Sequence, residues 1–128
     1  MNRLNKDVSK FRLDGQVALV TGSTRGIGWA IARGMAESGS TVYVNGRDKK
    51  VLVARCKNLI ELGYSAKPAH FDATDVETVD RFFDSSETTI DILVNNAAIR
   101  LRKPIREIYP KAFSKIVEAN LNSVYAIS

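Results

Sequence analysis

The sequence predicts an α/β fold: a doubly wound parallel sheet with strands in the order 3-2-1-4 and helices on both faces. Three observations predict it. Short apolar runs alternate with helix-patterned segments, which is the arrangement of parallel strands joined by crossovers. The first run, VALVT at 17–21, is continuously apolar, as expected of a strand buried on both faces. It leads straight into VTGSTRGIG, residues 20–28, where Gly22, Gly26 and Gly28 stand at the mouth of a helix.

The elements follow in order. A helix runs from about Gly26 to Ser38, and Gly39 ends it. TVYVN at 41–45 is the second strand. Residues 48–62 form a helix with Val51, Leu52, Leu59 and Ile60 on one side and Gly63 as its stop. SAKPAHF at 65–71 is a weaker third strand, and Pro68 assigns it to a sheet edge. A helix covers 75–84, and DILVN at 91–95 is the fourth strand. After a basic loop, the spacing predicts a last helix over 111–127. With right-handed crossovers this is a Rossmann-like half, and residues 1–128 read as a single domain without repeats or linkers.

Composition narrows the function classes. Apolar residues at 45% and charged residues at 26% fit a globular protein with a real core. A single cysteine, Cys56, excludes an internal disulfide and points to a reducing, cytoplasmic setting. Cys56 shares a face with Leu52, Leu59 and Ile60, so it reads as a small core residue. The N-terminal stretch has no apolar core of a signal peptide, and no segment is long enough to span a membrane. The net charge of +5 raises nucleic acid as a partner. The basic residues are scattered, however, and their one dense patch, RLRKPIR at 100–106, has no interleaved aromatics. A phosphorylated small molecule suits the charge better. His70 is alone, no second His or Cys stands at ligand spacing, and no metal is expected.

The glycines have a physical reading. Gly22 lets the chain turn off the strand. Gly26 and Gly28 remove side chains where backbone approaches a ligand or the strand. The helix start then offers free N–H groups and the positive end of its dipole, and a pyrophosphate is the usual occupant. A plain strand–turn–helix is the alternative, but the context is the one a dinucleotide site requires.

The spacing is G-x-x-x-G-x-G. TGSTRGIG resembles the cofactor motif of the short-chain dehydrogenases/reductases, and the resemblance extends along the chain. FRLDGQVALVTGS is similar to that family's first strand, FDATD (71–75) to the segment after its third, DILVNNAA (91–98) to its fourth strand and Asn-Asn-Ala-Gly motif, and EANLNSVY (118–125) to its Asn-bearing helix. It implies a nicotinamide cofactor held by Gly22, Ser23, Thr24, Arg25, Gly26, Ile27 and Gly28, then by Asn45, Gly46 and Arg47. It further implies that Asp72 and Ala73 line the adenine, while Asn95, Asn96 and Ala97 line the ribose side of the cleft. Ala98 stands where the family has glycine, and its methyl would crowd the cofactor.

The charge pattern speaks to which cofactor. An acid at the end of the second strand would bind the ribose hydroxyls of NAD. Asn45 is neutral there, Arg47 follows, and Arg25 lies in the glycine loop. Two guanidiniums suit a 2′-phosphate, so NADP(H) is expected over NAD(H). A solvated Arg47 beside a capping Asp48 is the competing reading.

The last helix, by its spacing, buries Phe113, Ile116, Val117, Leu121 and Val124, with Asn120 on the same face. Alone, a buried Asn is a structural residue bonded to neighbouring backbone. The resemblance makes Asn120 the tetrad member that positions a water for proton relay.

The family's Ser and Tyr-x-x-x-Lys are not found: no tyrosine here has lysine four residues on. The chain therefore reads as the first half of such an enzyme, inactive by itself, with a bare fourth strand and a last helix that favour a homo-oligomer. The loop IRLRKPIREI is similar to that of gluconate 5-dehydrogenases, and Arg102 or Lys103 could pair with a sugar-acid carboxylate. A solvated loop and other small ketones are the alternatives. Competing functions are a non-catalytic NADP(H)-binding module and, less favoured, a nucleic-acid-associated protein.

Overall fold

The structure, a computed structural model, describes residues 8–87 and 89–128; residues 1–7 of the N-terminal stretch discussed above lie outside it. Four strands, β1 (Val17–Val20), β2 (Thr41–Gly46), β3 (Ala66–His70) and β4 (Ile92–Val94), pair in parallel in the order β3-β2-β1-β4. Helices α1 (Gly26–Glu37), α2 (Lys49–Glu61) and α3 (Val76–Ser85) connect them. The last helical region is not one regular helix. It is α4 (Pro110–Val117), a π-helical turn at Glu118–Asn122, and α5 (Ser123–Ile127).

The sheet is apolar on both faces because helices cover both. On one side, Ala18, Val20, Val42 and Val44 pack with Ala32 and Ala36 of α1 and with Leu52, Cys56 and Leu59 of α2. On the other, Leu19, Tyr43, Ala69, Phe71, Ala73 and Val79 form a second core with Phe82 and Ile127 packed against it. Phe82 is the hub there, with ring centroids 5.6 Å from Tyr43 and 5.1 Å from Phe71. β3 is an edge strand, as Pro68 requires: proline has no N–H to give to a second neighbour.

Caps and stops are local. The Asp48 carboxylate accepts from Lys50 N–H (2.9 Å) and Val51 N–H (3.2 Å), opening α2, and Asp75 does the same for α3. Gly39 and Gly63 follow α1 and α2 with φ of 104° and 88°, left-handed backbone that glycine adopts without strain.

Two packing expectations fail. On α2 the buried face is Leu52, Cys56 and Leu59, while Val51 and Ile60 are exposed. Residues 51 and 60 lie about 100° of helix rotation to either side of the Leu52–Leu59 stripe, beyond the sheet's reach. In the last region Phe113 and Leu121 are exposed, and Ala119 and Ser123 take the buried positions instead. The π turn, which a 3.6-residue period does not anticipate, rotates the downstream face.

Candidate cofactor site

The carboxyl ends of β1, β2 and β4 converge where the chain runs in opposite directions to β2 and β4 from β1. This is the switch point at which open α/β sheets bind ligands. The loop from Thr21 to Arg25 crosses it and enters α1. Arg25 is the N-cap residue and makes no side-chain cap, and the first bond of the helix runs from Trp29 N–H to Arg25 C=O (3.2 Å). The amides of Gly26, Ile27 and Gly28 precede that bond, so the helix start is uncapped and positive.

The three glycines do different work. Gly26 has φ 58° and nothing within 4 Å of where a Cβ would stand, so its need is backbone conformation beneath open space. Gly28 is packed. A Cβ there would lie 2.3 Å from the Gly22 carbonyl oxygen and 2.4 Å from Asn96 Nδ2. Gly22, also at positive φ, would meet Ala97 Cα at 2.9 Å. Two glycines therefore close the loop onto the end of β4, and one leaves room above it.

Polar side chains hold that closure. Asn96 Nδ2 donates to the carbonyls of Thr21 (3.1 Å) and Gly22 (3.0 Å). The Thr21 hydroxyl accepts from the Asn96 and Ala97 N–H groups, both at 2.9 Å. Thr21 escaped the sequence reading because a threonine ending an apolar run gives no signal of its own. Asn95 stands beside it on the exposed side, its amide donating to the Ser128 hydroxyl (3.2 Å), and Ala97 packs beneath. Ala98 is exposed.

Asn45 and Ser23 occupy other places than expected. Asn45 is 2% exposed. Its Oδ1 accepts from Gly22 N–H (2.9 Å), and its Nδ2 donates to the carbonyls of Ala69 (2.9 Å) and Phe71 (3.0 Å). Ser23 is fully buried, donating its hydroxyl to the Val20 carbonyl and accepting from Asn45 N–H. Both side chains are consumed within the protein: along β2 the alternating pleat turns position 45 inward. The residues that reach the surface here are Gly46 and Arg47. Gly46 is bare beside Thr24, whose methyl would lie 2.6 Å from a Cβ at 46. No acid stands at the exposed end of β2.

Beyond Gly46, Arg47 is 80% exposed at its side chain, with Nη1 4.0 Å from the Asp72 carboxylate. Asp72 also accepts from Thr74 N–H (2.9 Å) and the Thr74 hydroxyl (2.8 Å), which turns the chain after β3. It does not cap α3, since Asp75 does. Ala73 is buried in the second core, and His70 sits at the end of β3 with Nε2 2.9 Å from the Arg47 carbonyl. Arg102 and Lys103 are exposed in the loop after β4.

Asn120 is exposed, not buried as its helical spacing suggested. Its Oδ1 accepts from Ile99 N–H (2.8 Å) and its Nδ2 donates to the Ile99 carbonyl (2.9 Å), and it lies within the π turn. The widened turn swings Asn120 toward the loop after β4 instead of the sheet.

This geometry agrees with comparison to known proteins. The family model described as short chain dehydrogenase matches residues 16–128. The chain belongs to the short-chain dehydrogenase family. It is 38% identical over 120 residues to gluconate 5-dehydrogenase of Gluconobacter oxydans, covering 91% of this chain and 47% of that protein. Among solved structures, gluconate 5-dehydrogenase from Burkholderia cenocepacia in complex with NADP and tartrate superposes with a TM-score of 0.83 at 35% identity, covering 94% of this chain and 48% of that one. Hydroxysteroid dehydrogenase from Escherichia coli superposes with a TM-score of 0.87 at 29% identity, over 95% and 53%. The chain spans about half the length of the relatives it matches. Among the described residues no helix is long and apolar enough to cross a membrane.

Proposed function

We propose that residues 1–128 are the cofactor-binding domain of an NADP(H)-dependent short-chain oxidoreductase acting on a small alcohol or ketone. The observation that carries the cofactor choice is the exposed end of β2, where Gly46 and Arg47 stand in place of an acid. The uncapped start of α1 beneath the open space at Gly26 suits a pyrophosphate, and the exposed Arg25 and Arg47 suit a 2′-phosphate. Asp72 and Arg47 would border the adenosine, with Ala73 behind them. Asn95 and the Asn96–Ala97 backbone would border the nicotinamide ribose. When bound, the nicotinamide supplies or takes up the hydride.

A sugar acid of the gluconate/5-ketogluconate kind is the substrate we favour. The named functions of the relatives support it, and Arg102 offers a cation for the carboxylate. Asn120 would hold the relay water through whatever donor capacity its bonds to Ile99 leave. In this reading the chain alone is inactive, because none of its tyrosines has lysine four residues on. It sits in the cytoplasm and associates with itself through the last helical region, where Phe113 (60%), Leu121 (64%) and Tyr125 (87%) are exposed.

Fluorescence titration of the chain with NADPH and NADH tests the cofactor. A charge-assisted phosphate contact is worth about 1.5–3 kcal/mol. Arg47→Ala should therefore lower the NADPH to NADH affinity ratio by about tenfold or more. An unchanged ratio would remove the NADP(H) assignment.

A further inference from the structure

A third arginine touches the glycine loop. Arg55, two turns into α2, is half-buried, and its Nε donates to the Thr24 carbonyl at 2.7 Å. Its guanidinium lies over the Trp29 ring, 4.6 Å from the centroid. The indole therefore fixes the plane of the guanidinium while its Nε–H fixes the carbonyl. Trp29 is itself bonded to the loop through its N–H to Arg25 C=O. Two points of the Thr24–Trp29 segment, the Thr24 carbonyl and the Trp29 ring, are thus held against α2 through Arg55, and the Trp29–Arg25 bond closes the segment on itself.

The pinned residue is the one that fills the space at the end of β2. Thr24 is β-branched and stiff at χ1, so with its backbone fixed its methyl has few places to go. A Cβ at position 46 would lie 2.6 Å from that methyl. Any side chain there, including an acid able to bind a ribose diol, would have to displace Thr24 against the Arg55 bond.

We propose that Arg55 is a positioning residue for cofactor choice. By holding Thr24 against Gly46, it keeps the exposed end of β2 free of side chains and leaves that space to a phosphorylated ribose. The proposal rests on the NADP(H) reading for its ligand, while its geometry can be tested without any ligand.

The experiment uses the 128-residue chain and the variants Arg55→Lys, Arg55→Ala, Gly46→Asp and the double change Thr24→Ala/Gly46→Asp. The first readout is hydrogen exchange at the amides of Gly22, Ser23 and Trp29, which donate to the Asn45 side chain, the Asn45 carbonyl and the Arg25 carbonyl. Both Arg55 variants should exchange there at least about tenfold faster, since lysine keeps the charge but has neither the Nε–H at that point of the side chain nor the planar stack. Wild-type exchange in both would overturn the clamp. The second readout is the NADPH to NADH affinity ratio. It should fall several-fold in both Arg55 variants. Gly46→Asp alone should not gain NADH affinity, whereas Thr24→Ala/Gly46→Asp should gain it about tenfold. Equal gain in the single and double variants would overturn the filter, as would a ratio in Arg55→Lys equal to wild type. If the wild-type chain binds neither cofactor, the NADP(H) reading fails for this chain, and the exchange arm still decides the clamp.

Discussion

The Asn45 carboxamide oxygen accepts the Gly22 N–H at 2.9 Å, joining the end of β2 to the first glycine of the loop. The same side chain donates both amide hydrogens to the carboxyl end of β3 and the residue just past it, at the Ala69 and Phe71 carbonyls. One buried residue thus sets the spacing of three strand ends that shape the site. Asn45→Asp keeps the shape and reverses two of the three bonds, because a carboxylate cannot donate to those carbonyls. A buried charge facing two acceptors should cost about 3 kcal/mol or more. Urea unfolding of Asn45→Asp and of wild type at neutral pH measures this. A loss below about 1 kcal/mol would mean that Asn45 is not the buried tie described.

Gly26 and Gly28 should respond differently to alanine. At Gly26 only the left-handed backbone resists, which costs about 1–2 kcal/mol, and the loop should keep its closure onto Asn96. At Gly28 the new methyl would stand within 2.4 Å of Asn96 Nδ2 and closer still to the Gly22 carbonyl, so loop and β4 must separate. Gly28→Ala should therefore abolish NADPH binding and destabilise by more than Gly26→Ala. Side-by-side urea denaturation and NADPH titration of the two variants would show whether the order holds.

The strand order, the edge position of β3 and the glycine-opened helix were legible because each has a local signature: an apolar run, a proline, a glycine spacing. What was not legible depends on long-range geometry. Asn45 and Gly46 are adjacent in sequence, and only the pleat and the pairing with β3 decide which one faces the loop. Arg55 looks like any exposed helix arginine until α2 is laid beside the Thr24 carbonyl. The π turn at Glu118–Asn122 carries no composition signal, so a regular helix period misplaced Leu121 and Asn120.

Cys56 is buried between α2 and the sheet, and that burial pushes its thiol above the ordinary range by penalising the thiolate. Native alkylation by iodoacetamide at pH 8 should be much slower than in urea-unfolded chain. The sign for stability follows. The folded state holds the thiol proton more tightly, so this contribution is complete below the ordinary thiol pKa and declines as pH rises through and above it. Cys56→Ala should flatten that alkaline decline. Equal alkylation rates with and without urea would show the thiol to be accessible.

Asn120 and Ile99 share a two-way bond that ties the π turn to the loop after β4. Asn120→Asp retains the acceptor for Ile99 N–H but loses the donor to its carbonyl, whereas Asn120→Ala loses both. These groups are solvent-exposed, so water can replace what is lost, and each bond is worth about 0.5–1.5 kcal/mol at most. Asn120→Ala should cost about 1–2 kcal/mol and Asn120→Asp about half of that. Hydrogen exchange at Ile99 N–H adds the local readout: it should quicken in Asn120→Ala and stay near wild type in Asn120→Asp. If the two variants exchanged alike, the acceptor at Asn120 would not be what holds the loop, and the π turn would owe its shape to packing of Ala119 and Ser123 alone.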